Sequence, residues 1–273
     1  MKQVIVVTGA TGGIGQLLVS GLLNEDRHIV CVGRRASALS DLVEKLKLEN
    51  GLSDEHLSFQ VADMSSPVDV ELAASKIGSS MRRIDLWVNN VGVNNHNAMG
   101  ASWEVASDAW YEEVQLNLFT AYLGSRAAIN LMKSQQHGYV VNLGGGGADT
   151  PKPFGSAYGA AKAAIVKFTE ALNHECVEEN IGIRAFCFNP GFIRNPRTEA
   201  LVKSEVAKKY MPNLEKVMES GRMSDIEDSV FLLETILSGE LDHLGGRYFS
   251  ADLFRKQWEE GIQPEACLLR VSK

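Results

Sequence analysis

Tyr158 and Lys162 are the residues whose types and spacing point most directly to chemistry. In Tyr158-Gly159-Ala160-Ala161-Lys162 they stand four apart, on one face of a helix. An ammonium held there can lower the phenol's pKa and hold a ribose, which makes the phenol a proton donor at neutral pH. Alone the pair is a weak signal, since chance supplies it often. Two other segments, Thr8 to Gly15 and Asn89 to Gly92, give it weight.

Thr8-Gly9-Ala10-Thr11-Gly12-Gly13-Ile14-Gly15 follows the first apolar run and opens the first helix-length stretch. Glycines let the backbone approach a pyrophosphate, and a helix N-terminus supplies N–H donors and partial positive charge. Gly9, Thr11, Gly12, Gly13, Ile14 and Gly15 are therefore dinucleotide-binding candidates; a purely structural tight turn is the competing reading. The next strand ends Val30-Cys31-Val32-Gly33-Arg34-Arg35, with no acid for a ribose 2′-hydroxyl. Arg34 lies 19 residues after Gly15, and its planar fork suits the 2′-phosphate of NADP(H) or stacks on adenine. The pair Arg34 and Arg35 can equally be a solvated helix start. Asp63, beside Met64 at the end of the third strand, either accepts from the adenine amino group or caps the helix near Pro67. Asn90, Val91 and Gly92 end the fourth strand, where small residues let the adenine ribose pass close to the backbone. Asn94-Asn95-His96-Asn97 is either a hydrogen-bonding edge for a polyhydroxylated substrate or a solvent-exposed turn, and His96 has no metal-ligand spacing.

These candidates need a scaffold, and the pattern supplies one. Apolar runs at 3–7, 28–32, 57–61, 85–89, 138–143 and 182–188 read as buried strands, and 247–250 as a seventh. Stretches 13–24, 36–48, 67–79, 107–134, 157–179 and 225–237 read as helices. The alternation predicts α/β, a doubly wound parallel sheet of Rossmann type, as one domain over 1–273. Residues 196–222, charged and carrying an apolar stripe (Leu201, Val206, Tyr210, Leu214, Val217), read as a mobile helical lid over the substrate or as a helix pair packed permanently on the core.

With 273 residues, 45% hydrophobic and 22% charged, the chain can bury a full core and disorder is not expected. A net charge of −7 gives no reason to propose nucleic acid or an anionic membrane as partner. Cys31, Cys176, Cys187 and Cys267 lack metal-ligand spacing and read as free thiols in a reducing compartment. The apolar start is too short and too early for a signal peptide, and no run spans a bilayer, so a cytoplasmic protein is expected.

Over roughly residues 3–250 these segments resemble the short-chain dehydrogenase/reductase family, in its shorter single-domain branch. The glycine turn resembles the family's Thr-Gly-x-x-x-Gly-x-Gly. Asn117, in Val114-Gln115-Leu116-Asn117-Leu118, resembles the helix-interrupting asparagine that holds a relay water. Asn189-Pro190-Gly191-Phe192-Ile193 resembles the Pro-Gly turn before the nicotinamide contacts, which implies Pro190, Gly191 and Ile193 as binding residues; Asn195 stands where threonine is frequent. Gly221-Arg222-Met223-Ser224 resembles the pattern after the lid. The resemblance implies Asn117, Tyr158 and Lys162 as catalytic residues. It does not supply the catalytic serine: Gly144 or Gly145, depending on alignment, occupies that slot in Leu143-Gly144-Gly145-Gly146-Gly147-Ala148. Asp149 and Thr150 could contribute by rearrangement, and Ser156 reads as a helix N-cap. The C-terminal Asp-Gly-Gly of many members is absent; Ser250-Ala251-Asp252-Leu253 and a tail to Lys273 stand instead.

The expectation is an NADP(H)-dependent oxidoreductase that interconverts a small-molecule carbonyl and an alcohol, with Tyr158 as proton donor or acceptor. The alternatives are a cofactor-binding protein with little redox activity and a non-redox lyase or isomerase. Pairing of helices 107–134 and 157–179 between subunits, as in relatives, implies a homodimer or homotetramer. Restoring a serine at 145, or at 144 under the other alignment, is expected to raise reduction of small ketones.

Overall fold

The computed structural model describes residues 2–221 and 223–263. Seven strands form one sheet: β1 (Gln3–Thr8), β2 (Arg27–Gly33), β3 (Leu57–Val61), β4 (Leu86–Asn89), β5 (Gly138–Leu143), β6 (Ile183–Asn189) and β7 (Tyr248–Ser250). Their order is β3-β2-β1-β4-β5-β6-β7, and every pairing is parallel. The chain works outward from β1 through β3, then returns to β4 beside β1. That reversal opens a crevice at the carboxyl ends of β1 and β4, where ligands bind in open α/β sheets.

Both faces of the sheet are covered except along the edge strand β3, so its inner strands are apolar on both sides. The period of two is explicit in β1. Ile5 and Val7 join a core with α1 (Gly13–Leu22), α2 (Ala36–Asn50), α10 (Ile226–Leu237) and α11 (Ala251–Glu259). Val4 and Val6 face a second core with α3 (Pro67–Ser80), α5 (Thr120–Met132) and α6 (Ser156–Glu178). Helix α11 follows the seventh strand directly; its apolar Phe254 is buried against Phe249, and Phe231 and Trp258 pack beside it.

A polar network crosses the second core. Asn89 Oδ1 accepts from Trp87 Nε1 (3.0 Å), and Asn89 Nδ2 donates to Asn142 Oδ1 (2.9 Å) and Ser125 Oγ (3.0 Å). Asn142 Nδ2 donates to Thr169 Oγ1 (2.9 Å), whose hydroxyl donates to the Ile165 carbonyl (2.8 Å). These groups are buried, and mutual hydrogen bonding offsets the desolvation that would otherwise make each costly.

The stretch 107–134 is not one helix. It divides into α4 (Ser107–Val114), a π-helical turn Gln115–Phe119 and α5. The side chain of Asn117 explains the break: Nδ2 donates to the Glu113 carbonyl (2.9 Å) and to the Val93 carbonyl (3.0 Å), and Oδ1 accepts from Val93 N (3.3 Å). Asn117 is thereby pinned to the segment after β4, and the helix gains one residue to reach it.

Residues 196–222 contain α7 (Pro196–Lys203), α8 (Glu205–Tyr210) and α9 (Asn213–Glu219). Asn195 and Thr198 form a capping box at the start of α7. Of the expected apolar stripe, Leu201, Val206 and Leu214 join a small cluster with Met99, and Tyr210 packs on Phe154 with ring centres 4.8 Å apart. Arg222, Cys267 and the tail to Lys273 lie outside the described residues.

Candidate active site

The crevice deepens into a cleft of about 920 Å³. Eighteen of the nineteen expected site residues line it, drawn from β1–α1, β2–α2, β3–α3, the end of β4, the π-turn, α6 and the loop after β6. They are Gly9, Thr11, Gly12, Gly13, Ile14, Arg34, Arg35, Asp63, Met64, Asn90, Val91, Gly92, Asn117, Tyr158, Lys162, Pro190, Gly191 and Ile193. Gly15 does not reach the cleft. A Cβ there would lie 2.3 Å from the Gly9 carbonyl oxygen, so Gly15 permits close packing of helix on turn instead.

The turn between β1 and α1 fits a dinucleotide phosphate. Gly12 precedes α1 without a side-chain cap, which leaves first-turn N–H groups facing the cleft. Gly9 has φ +64°, and a Cβ on Gly13 would meet Asn195 at 2.4 Å. Asn90 holds the turn in place: Nδ2 donates to the carbonyls of Thr8 (3.0 Å) and Gly9 (3.1 Å), and its N–H donates to Thr8 Oγ1 (3.1 Å).

Beside this turn, at the end of β2, Arg34 Nη1 stands 3.7 Å from Asp63 Oδ2, and the Arg34 side chain is 72% exposed. Arg35 is exposed as well, so both guanidiniums are accessible to an incoming anion. Asp63 does not cap α3; Ser66 does. Asp63 Oδ1 instead accepts from Ser65 N (2.9 Å) and Oγ (2.7 Å), which with Arg34 hold its carboxyl below the usual range against the opposing effect of burial.

Near the middle of the cleft, Lys162 Nζ donates to the Leu143 carbonyl (2.9 Å) and lies 5.5 Å from the centre of the Tyr158 ring. Burial pushes Lys162 down to about 8. It also pushes the Tyr158 phenol up to about 12, with Glu113 adding to the rise and Arg197 opposing it. In this geometry burial, the largest cause, moves the phenol upward rather than downward. Gly92 separates Lys162 from Asn117: a Cβ on it would lie 2.9 Å from Asn117 Oδ1 and 3.4 Å from Lys162 Nζ.

In the glycine run after β5, positions 144 and 145 face different neighbours. A Cβ on Gly145 would stand 2.5 Å from Tyr158 Oη, whereas one on Gly144 would meet Tyr248 and Cys187. Position 145 therefore faces the phenol. Its carbonyl accepts from Tyr248 Oη (3.1 Å). Asp149 and Thr150 are exposed and outside the cleft. Ser156 is not the N-cap of α6, a position held by Gly155; its Oγ accepts from Trp110 Nε1 (3.1 Å). Of the run 94–97, Asn94 and His96 reach the cleft.

Three charged residues were missed by motif reading. Lys152 and Arg197 line the cleft, and Arg197 Nη1 donates to the Gly92 carbonyl (2.8 Å), tying α7 to the end of β4. Glu113 is buried; Oε2 accepts from Asn95 N (3.2 Å) and Oε1 has no partner. Burial raises its carboxyl to about 7, with Arg197, Lys152 and Lys162 pulling it back. Among the described residues no group of three or more His, Cys, Asp and Glu could hold a metal, and no helix is long and apolar enough to cross a membrane.

The short chain dehydrogenase family model matches residues 3–206, and the chain belongs to that family. It is 30% identical over 192 residues to chlorophyll(ide) b reductase NOL, chloroplastic, of Oryza sativa subsp. japonica, covering 69% of this chain and 55% of that protein's length. It is 25% identical over 245 residues to 3-oxoacyl-[acyl-carrier-protein] reductase FabG of Haemophilus influenzae, covering 89% of this chain and 94% of that one. Its fold matches that of an actinorhodin polyketide ketoreductase with NADPH, at TM-score 0.80, 22% identity and 91% and 95% coverage. An NAD+-bound xylitol dehydrogenase matches at TM-score 0.78, 22% identity and 91% and 96% coverage. Family membership supports NAD(P)-dependent oxidoreduction as the general class of chemistry.

Proposed function

We propose that this chain is an NADP(H)-dependent oxidoreductase that interconverts a small-molecule carbonyl and an alcohol, with Tyr158 as proton donor or acceptor. The convergence of Tyr158, Lys162 and Asn117 with an uncapped glycine turn in one cleft carries the reading. The bound nicotinamide supplies or accepts the hydride. Gly9, Gly12, Gly13 and Ile14 hold the pyrophosphate end, and the exposed Arg34 and Arg35 take the 2′-phosphate. Met64, Asn90, Val91, Pro190, Gly191 and Ile193 wall the cleft between them. Lys162 holds the ribose, Asn117 fixes the backbone beside it, and Tyr158 moves the proton at its Oη. Burial keeps the Tyr158 phenol protonated at neutral pH, the form that can give a proton to a carbonyl oxygen.

Helices α7–α9 act as a lid within a single domain, supported by two contacts across the cleft, Arg197 on Gly92 and Tyr210 on Phe154. A homodimer or homotetramer pairing through α5 and α6 belongs to the same reading; Tyr122 and Val177, exposed on those helices, support it. Buried free thiols Cys31, Cys176 and Cys187 support a reducing, cytoplasmic setting. The test is a calorimetric titration with NADPH and NADH, followed by a carbonyl and alcohol panel read at the nicotinamide absorbance. Tighter NADPH binding and carbonyl-dependent absorbance loss are expected. Product formation without absorbance change would instead place the chain among lyases or isomerases.

A further inference from the structure

Lys152 sits on the loop between β5 and α6, and its stem lies in a groove made of glycines. A Cβ on Gly147 would come 2.8 Å from Lys152 Cβ, one on Gly155 3.2 Å from its Cε, and one on Gly159 3.4 Å from its Cβ. Gly147 also has φ +95°, a conformation that other residues rarely adopt. The groove delivers the ammonium into the cleft, 5.1 Å from the centre of the Tyr158 ring. No described residue gives that ammonium a hydrogen bond or an ion pair, although three donors and no acceptor make it a group that needs an oxygen partner. Burial lowers the Lys152 pKa, and the Glu113 carboxyl works against that loss of charge. Across the same phenol stands Gly145, which carries no hydroxyl.

We propose that Lys152 is a catalytic residue that gives the substrate's carbonyl oxygen the hydrogen-bond donor missing at position 145. The proposal rests on the reductase reading above. A carbonyl oxygen that takes a proton from Tyr158 must lie within about 3 Å of Oη, and the flexible stem of Lys152, whose ammonium lies over the same ring 5.1 Å from its centre, can turn the ammonium toward that oxygen. When the carbonyl carbon accepts hydride from the reduced nicotinamide, the C=O π pair moves to oxygen. Tyr158 then transfers its proton to that oxygen, while Lys152 keeps its own proton and stabilises the developing negative charge. Gly147, the last of the four-glycine run, thus serves with Gly155 and Gly159 to seat a lysine.

The test compares wild type, Lys152→Met, Lys152→Arg and Tyr158→Phe on one reducible ketone, with NADPH affinity measured by calorimetry. Lys152→Met is expected to lower kcat by about 10²–10³-fold, the effect of losing one oxyanion donor, with cofactor affinity unchanged. Lys152→Arg, which keeps a donor and the charge, should recover part of the loss. In parallel, isotope-labelled methyl groups on the Lys152 amine, assigned by their absence in Lys152→Arg, should shift in magnetic resonance spectra. The shift is expected when the ketone is added to NADPH-loaded Tyr158→Phe protein, whose turnover should be slow enough for the complex to be observed. Wild-type kcat in Lys152→Met beside an inactive Tyr158→Phe overturns the role of Lys152 and leaves the reductase reading intact. A raised KM with unchanged kcat also overturns it, since Lys152 would then only bind the substrate, and so does an unshifted resonance. Full activity in Tyr158→Phe overturns both readings. If Lys152→Met also weakens NADPH binding, Lys152→Arg and the resonance decide.

Discussion

The two ends of the cleft are built differently. The turn between β1 and α1 is shaped by backbone: glycines at 9, 12, 13 and 15, an uncapped helix start, and the Asn90 amide pinning carbonyls from beneath. The end around Tyr158 is shaped by side chains from distant parts of the chain, with Lys152 after β5 and Arg197 on α7 lining it and Glu113 buried on α4. A backbone-shaped site tolerates exchange of most residues that are not glycine, whereas a side-chain-shaped site can be retuned one charge at a time. Family membership accordingly speaks for the first end and says little about the second.

That contrast is sharpened most by Tyr158→Phe, which removes the proton donor and leaves the glycine turn untouched. Turnover should fall by about 10²–10⁴-fold, the range for a positioned acid, while NADPH affinity measured by calorimetry stays near wild type. A matching fall in affinity would mean that the two ends are not separable. Gly145→Ser comes next, and here the structure reverses the expected sign. The new Cβ would lie 2.5 Å from Tyr158 Oη, so the phenol must move. A displacement of that order costs about 10²-fold in rate, and steady-state kinetics on a small ketone should show a loss, not a gain.

Arg34→Asp probes the backbone-shaped end through its side-chain rim. Removing a charged hydrogen bond to phosphate should weaken NADPH by about tenfold, corresponding to ~1.5 kcal/mol, and bring NADH to equal or better affinity. Unchanged preference would assign the 2′-phosphate to Arg35. The smallest effect concerns Glu113. Its folded pKa, about 7, lies above the unfolded carboxylate value. Its stabilising contribution is therefore complete below the unfolded value near 4.3 and is lost as pH rises through about 7. Thermal melts of wild type should fall across that window, and Glu113→Gln should flatten the fall. Parallel curves would mean that the carboxyl titrates normally.

Much of the fold was legible because parallel strands buried on both faces write themselves as apolar runs, and all seven were located to within about two residues. The glycine turn and Tyr158 with Lys162 were legible for a similar reason, since each depends on spacing within one element. Glu113, Lys152 and Arg197 carry no such local signal; only the packing of α4, the β5–α6 loop and α7 brings them together. Ser156 was misread because Trp110, remote in sequence, claims its hydroxyl. That Gly145 rather than Gly144 faces the Tyr158 phenol shows only in the direction of its missing Cβ.

The buried amides of Asn89 and Asn142 have a consequence for how this chain can change over generations. Each satisfies the other, and Ser125, Trp87 and Thr169 complete the set. Replacing any one with an apolar residue strands its neighbours without water, at about 1–3 kcal/mol for each orphaned group, whereas replacing the whole set together with apolar groups of the same shape can be nearly neutral. The ladder between β4 and β5 therefore sits at the bottom of a mutational valley: single steps lead uphill, and the alternative core is reachable only by several substitutions at once.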